Sequence, residues 1–115
     1  MSKLNTLILS LSAVLFAGSA LAVERGDIER GEDLSLACLA CHSADAVNNN
    51  PEWPRLHGQH ADYLLHSLRA YKRGDRENAI MQQQVDHLSD QDLRDLAAYF
   101  SQREGQLHSD HRARR

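Results

Sequence analysis

Residues 38–42 read CLACH, two cysteines separated by two residues with a histidine directly after the second. They are the only 2 cysteines in a chain of 115 residues. Such a pair can serve as a disulfide, a metal site, a thiol redox couple or a covalent tether, and the surrounding sequence has to choose.

The flanking sequence is helical. In DIERGEDLSLACLACH, Ile28, Gly31, Leu34 and Cys38 fall along one helix face. In ADYLLHSLRAYKRG, Leu64, Leu68 and Tyr71 form an apolar stripe, and Asp62, Arg69, Lys72 and Arg73 are expected to face water. Asp62 near the start and Lys72 and Arg73 near the end suit the helix dipole, and Gly74 is a natural stop. In SDQDLRDLAAYFSQREG, Ser89 and Asp92 resemble a capping box, with Asp in place of the usual Glu or Gln. Leu93, Leu96, Ala97 and Phe100 mark its buried face, and Gly105 is expected to end it. The stretch SADAVNNNPEWPRLHGQH is too rich in Asn and Pro for a long regular element. DRENAIMQQQVDHL has room for one short helical turn, and no strand-like alternation occurs. The predicted body is therefore all-α, with three main helices and long loops of the kind that often wrap something.

The chain divides into three. Residues 1–22 have the layout of a secretory signal peptide: Lys3, an apolar run from about Leu7 to Ala17, then Ala20-Leu21-Ala22, with cleavage expected after Ala22. The run is broken by Ser10, Ser12, Gly18 and Ser19 and is shorter than the ~20 residues of a spanning helix. Residues 23–105 are expected to form one small domain, and residues 106–115 a basic tail expected to be disordered. With 13 Lys and Arg against 16 Asp and Glu, the charge balance does not suggest nucleic-acid binding. A body this small has a thin core and tends to depend on a cross-link, a metal or a cofactor.

These features weigh the options for CLACH. A thioredoxin-like couple belongs at a strand-to-helix junction, and no strand is predicted. Structural zinc wants four ligands, yet no second Cys or His pair has suitable spacing, His57 and His60 lying in a Pro/Gly loop. A disulfide across two residues restrains the unfolded chain little. CxxCH is the attachment signature of a c-type haem. On that basis Cys38 and Cys41 tether one covalent haem c per chain, and His42 binds its iron. For the opposite axial position the chain beyond the leader has a single methionine, Met81, whose polar neighbours Asn78, Gln82, Gln83 and Gln84 make a core-filling role less natural. His57, His60, His66 and His87 are the rival ligands. An iron left open there would permit gas binding.

Taken together, GEDLSLACLACH, PRLHGQHADYL, YKRGDRENAIM and LSDQDLRDLAAYF resemble the class I c-type cytochromes. The resemblance is strongest to the soluble bacterial cytochrome c(553)/c(4)-type module, which occurs singly and in tandem. A single CxxCH matches the single-haem form. The resemblance implies a small cytochrome c-like fold in which Gly31 and Leu34 meet Leu96 and Tyr99 where the first and last helices cross. It implies that the Pro54 carbonyl accepts a hydrogen bond from His42 Nδ1–H, and that Leu56 and Leu68 pack on the porphyrin. The expected function is a periplasmic one-electron carrier rather than an enzyme. It would exchange electrons with donor and acceptor proteins, membrane respiratory complexes among them, as a monomer with no nucleic-acid or small-molecule substrate. Two alternatives remain: a haem subunit of a larger redox enzyme, and a five-coordinate gas sensor if Met81 is not a ligand. A basic surface over Arg69–Arg76 is a further candidate for docking.

Overall fold

The computed structural model describes residues 25–105. The expected leader at 1–22 and the tail at 106–115, with His108 and His111, lie outside the described residues. Five helices follow in order: α1 (Ile28–His42), α2 (Ala44–Asn49), α3 (Ala61–Arg73), α4 (Ala79–Val85) and α5 (Asp90–Gln102). No strand occurs among the described residues. Helix α5 is the spine, packed by α1 and α3, while α2 rests on α1 and α4 on α3.

Local chemistry sets most helix ends. The Asp27 carboxylate accepts from Glu29 N at 3.0 Å and Arg30 N at 3.1 Å, satisfying donors that the first turn of α1 leaves free. Ser43 closes α1 and opens α2, its hydroxyl accepting from Ala46 N at 3.2 Å. Gly74 caps α3 at φ 79°, a left-handed conformation that favours glycine. Asn78 caps α4 through Met81 N at 2.9 Å. The Ser89–Asp92 capping box at α5 is reciprocal, at 2.8 and 3.1 Å.

The core is built from α5 outward. Leu93, Leu96, Ala97, Tyr99 and Phe100 are buried on it, with Leu64 of α3 and, half-buried around them, Leu34, Leu39, Leu56, Leu65, Leu68 and Leu88. Where α1 crosses α5 the backbones touch. A Cβ on Gly31 would lie 2.1 Å from the Asp95 carbonyl oxygen and 2.8 Å from Tyr99 Cβ. Fully buried Asp95 ties the same crossing: its carboxylate accepts from Asp27 N at 2.7 Å and Gln91 Nε2 at 2.8 Å, and pairs with Arg30 at 2.9 Å. Each polar contact offsets part of the desolvation of a buried carboxylate.

Four sequence expectations change. Ile28 is 48% exposed, because the crossing uses Gly31, Leu34 and Ser35 and leaves the first residue of α1 beyond the partner helix. The Asn-rich stretch begins with a real helix, α2, started by the Ser43 cap and anchored by buried Val47. Helix α5 ends at Gln102, with Arg103 extended, and not at Gly105. Gly105 is needed for contact instead: a Cβ there would lie 2.0 Å from the His57 carbonyl oxygen. Arg69 and Lys72 do not simply face water. Arg69 grips Asp90 at 2.6 and 2.8 Å, and Lys72 donates to the Asp86 and Leu88 carbonyls. Arg73 pairs with Asp75 at 2.7 Å, and Arg76 lies 4.8 Å over the Tyr71 ring.

Two outcomes are expected. Gly31→Ala must separate α1 from α5, costing about 2 kcal/mol and lowering the thermal midpoint by roughly 10 °C. An unchanged melt by circular dichroism would place the crossing elsewhere. The Arg69 guanidinium holds the Asp90 carboxyl below its usual range, with Arg94 and Lys72 adding to the effect. A depressed carboxylate contributes stability above the unfolded value of ~3.9 and loses it as pH falls through the folded value. Asp90 is largely exposed, so Asp90→Asn should cost under about 1 kcal/mol at neutral pH. In urea titrations that difference should vanish in acid.

Candidate functional site

The last turn of α1 presents Cys38, Cys41 and His42. Both cysteines are half-buried and unbonded to each other. Burial pushes the Cys38 thiol above its ordinary value, opposed in part by a backbone hydrogen bond. A redox-active pair needs the opposite, a thiolate stabilised at a helix N-terminus or by a nearby cation. Here the pair sits at the helix C-terminus, where the dipole disfavours negative charge. Among the described residues, no three His, Cys, Asp or Glu side chains converge as a metal cluster would.

His42 is 8% exposed, and its Nδ1 lies 2.9 Å from the Pro54 carbonyl oxygen. A carbonyl can only accept, so Nδ1 carries a proton, and in the neutral ring that leaves the lone pair on Nε2. That is the tautomer of a neutral, metal-binding imidazole.

The loop that brings Pro54 to His42 is pinned at several points. Asn50 accepts from Trp53 N at 3.1 Å and, through its side chain, from Glu52 N at 3.1 Å. Arg55 donates to Asn48 of α2 at 2.7 Å. Gly58, at φ 78°, turns the chain so that its N–H reaches the Phe100 carbonyl of α5 at 3.0 Å. Without α2, Arg55 would have no such anchor. Ser43 followed by Asp45 is the cap-and-first-turn signal in the sequence that points to this helix.

Beside His42 opens a cavity of about 310 Å³ lined by Val47, Asn48, Arg55, Leu56 and His57, with Glu104 and Gly105 at its edge. His57 stacks on Phe100 with ring centroids 5.7 Å apart, and its Nε2 is buried with no hydrogen-bond partner. The sequence had marked His57 only as a rival ligand.

Of the predicted site residues, the fold therefore joins His42 to Pro54 by a hydrogen bond and to Leu56 across one cavity. Cys38, Leu56 and Leu68 pack against one core cluster. Met81 is half-buried on α4, in a helix rather than a loop, and does not line the cavity beside His42. His60, His66 and His87 are exposed.

The donor set fits a covalent haem. Two free thiols share a helix face beside a fixed imidazole whose Nε2 is available, and half-buried leucines supply apolar surface that a macrocycle can cover.

Residues 28–104 match the family model for cytochrome c, and the chain belongs to that family. It is 43% identical over 82 residues to cytochrome c-554(548) of Halomonas halodenitrificans, covering 69% of this chain and 99% of that protein. It is 40% identical over 98 residues to cytochrome c4 of Pseudomonas aeruginosa, covering 85% of this chain and 48% of that protein. The chain thus spans about half the length of that cytochrome c4. The cytochrome subunit of sulfide dehydrogenase of Chlorobaculum tepidum is 31% identical over 71 residues, 62% of this chain and 64% of that protein. The chain is a class I c-type cytochrome, a haem-based electron carrier whose cofactor is covalently bound haem c, and Cys38 to His42 is its CxxCH motif.

Gly58→Ala should destabilise the fold by about 1–2 kcal/mol, because an L residue is strained at this positive φ. Faster hydrogen exchange at the Gly58 and Trp53 amides would be expected to accompany it. Unchanged stability would mean that the loop adopts another turn.

Proposed function

We propose that this cytochrome is an exported, periplasmic one-electron carrier in which Cys38 and Cys41 tether the haem and His42 and Met81 bind its iron. The observation that carries the proposal is the His42 Nδ1–Pro54 hydrogen bond, which leaves Nε2 as the imidazole's coordinating atom. Haem supplies a one-electron ferric/ferrous couple.

The chain's own residues do the rest. The Pro54 carbonyl orients His42 and increases its basicity, which favours the higher charge on the metal it binds. Leu56 and Leu68 exclude water from the macrocycle. Asn78, by capping α4, places the Met81 backbone, and a thioether ligand favours the reduced state. The role proposed is that of a carrier rather than an enzyme. The proposed domain runs from 23 to 105, with the leader removed after Ala22. The partners are proteins that donate and accept electrons, and the carrier works as a monomer.

A second reading, a haem subunit of a larger redox enzyme, has one observation in its favour. Leu36 is 72% exposed, Ile80 68% and Tyr63 50%, apolar surface of the kind a permanent partner covers. The likeness to a sulfide dehydrogenase subunit points the same way.

The test is an optical spectrum of periplasm-expressed protein, oxidised and reduced, with the weak near-infrared band that reports sulfur on ferric low-spin haem. Haem that resists acid-acetone extraction, together with that band, is the expected result. Met81→Leu should abolish the band and let carbon monoxide bind the ferrous form. A wild-type protein lacking the band and binding carbon monoxide freely would remove Met81 from the iron and favour a gas-binding site. Size-exclusion chromatography of the periplasmic extract separates a free carrier from a subunit.

A further inference from the structure

The cavity beside His42 holds one group that the electron-carrier reading leaves unused. His57 is fixed on three sides: its ring stacks on Phe100, its carbonyl abuts Gly105, and the next residue's N–H is bonded to the Phe100 carbonyl. Its Nε2 is buried without a partner. A polar atom in that condition is unusual and calls for a reason. The ring sits within a charged surround. Arg103 lies at the end of α5 with its guanidinium 5.3 Å over the Tyr99 ring, and Arg55, two residues before His57, lines the same cavity. Glu104 is the one carboxylate at the cavity edge, His42 stands across the cavity, and His60 follows on the same loop.

Resting on His42 as an iron ligand, we infer that His57 is a redox-linked proton site: it takes up a proton when the iron is reduced and releases it when the iron is oxidised. The balance is one electron from the donor protein to the iron and one proton from solvent to Nε2, both reversed on oxidation. The coupling is Coulombic. Ferric iron carries one more positive charge than ferrous iron, so it opposes a charged imidazolium in the neighbouring cavity more strongly. Low dielectric around the buried nitrogen strengthens that opposition. Burial and Arg103 both hold His57 below the ordinary imidazole value, which puts the coupled window on the acid side of neutrality. Because a protonated His57 disfavours the ferric state, the reduction potential is higher in acid and falls as pH rises through the window.

The experiment is a potentiometric titration of the haem-loaded protein from acid to neutral pH, alongside His57→Gln. The His57 ring resonances of the wild type are followed by NMR in both oxidation states. Expected are a potential that falls with pH in the wild type, a flat response in His57→Gln over the same range, and a higher His57 titration midpoint in the ferrous state. A flat wild-type potential overturns the inference. So does a slope that survives His57→Gln, which would assign the proton to another group. If His57→Gln does not fold, equal His57 midpoints in the two oxidation states overturn it on the wild type alone. Loss of covalent haem or of the sulfur band would instead overturn the ligand reading, and the optical spectrum shows that before any titration begins.

Discussion

The contact between Gly31 and the Asp95 carbonyl sets the geometry from which the rest follows. It lets α1 and α5 approach until backbone meets backbone, closer than any side chain would permit. Asp95 then uses its carboxylate to hold the start of α1 through Asp27 N and Arg30. With one end of α1 held and its crossing point defined, the position of its last turn is determined. That turn carries Cys38, Cys41 and His42, so a steric contact remote from the thiols decides where they are presented.

A second constraint acts through the loop between α2 and α3. It contains no regular structure after Asn49, yet it delivers the Pro54 carbonyl to within 2.9 Å of His42 Nδ1. It achieves this by borrowing rigidity from its neighbours, through Arg55 on Asn48, Gly58 on the Phe100 carbonyl and Gly105 against His57. The same anchoring fixes His57 in the wall of the cavity that His42 also lines. The orientation of His42 and the placement of a second ionisable group beside it thus share one mechanical origin, the packing of this loop on the end of α5.

Much of the fold was legible because its signals are local. Asp27, Gly74 and the Ser89–Asp92 pair mark helix ends through contacts spanning a few residues, and Leu93, Leu96, Ala97 and Phe100 show one buried face at helical spacing. The misses were equally physical. Helix α2 is too short for periodicity to reveal; it is started by the Ser43 cap, packs on α1 and buries Val47. Gly105 looked like a helix stop because glycine often is one, whereas its role is contact with a residue far away in sequence. The cations of α3 looked like a wet face because their acceptors, Asp90 and the Asp86 and Leu88 carbonyls, belong to another part of the chain.

The sequence alone determined the chemistry on offer: a CxxCH turn at the end of a helix, one methionine besides Met1, and an all-α body too small to have a thick core. Those are properties of residue type and short-range spacing. Tertiary structure decided which groups act together. Only the folded chain pairs His42 with Pro54, buries Asp95 under α1, leaves Met81 off the cavity beside His42, and sets His57 in the wall of that cavity with its Nε2 buried. Each of these depends on contacts between segments far apart in sequence, where the relative placement of packed helices governs distance and burial.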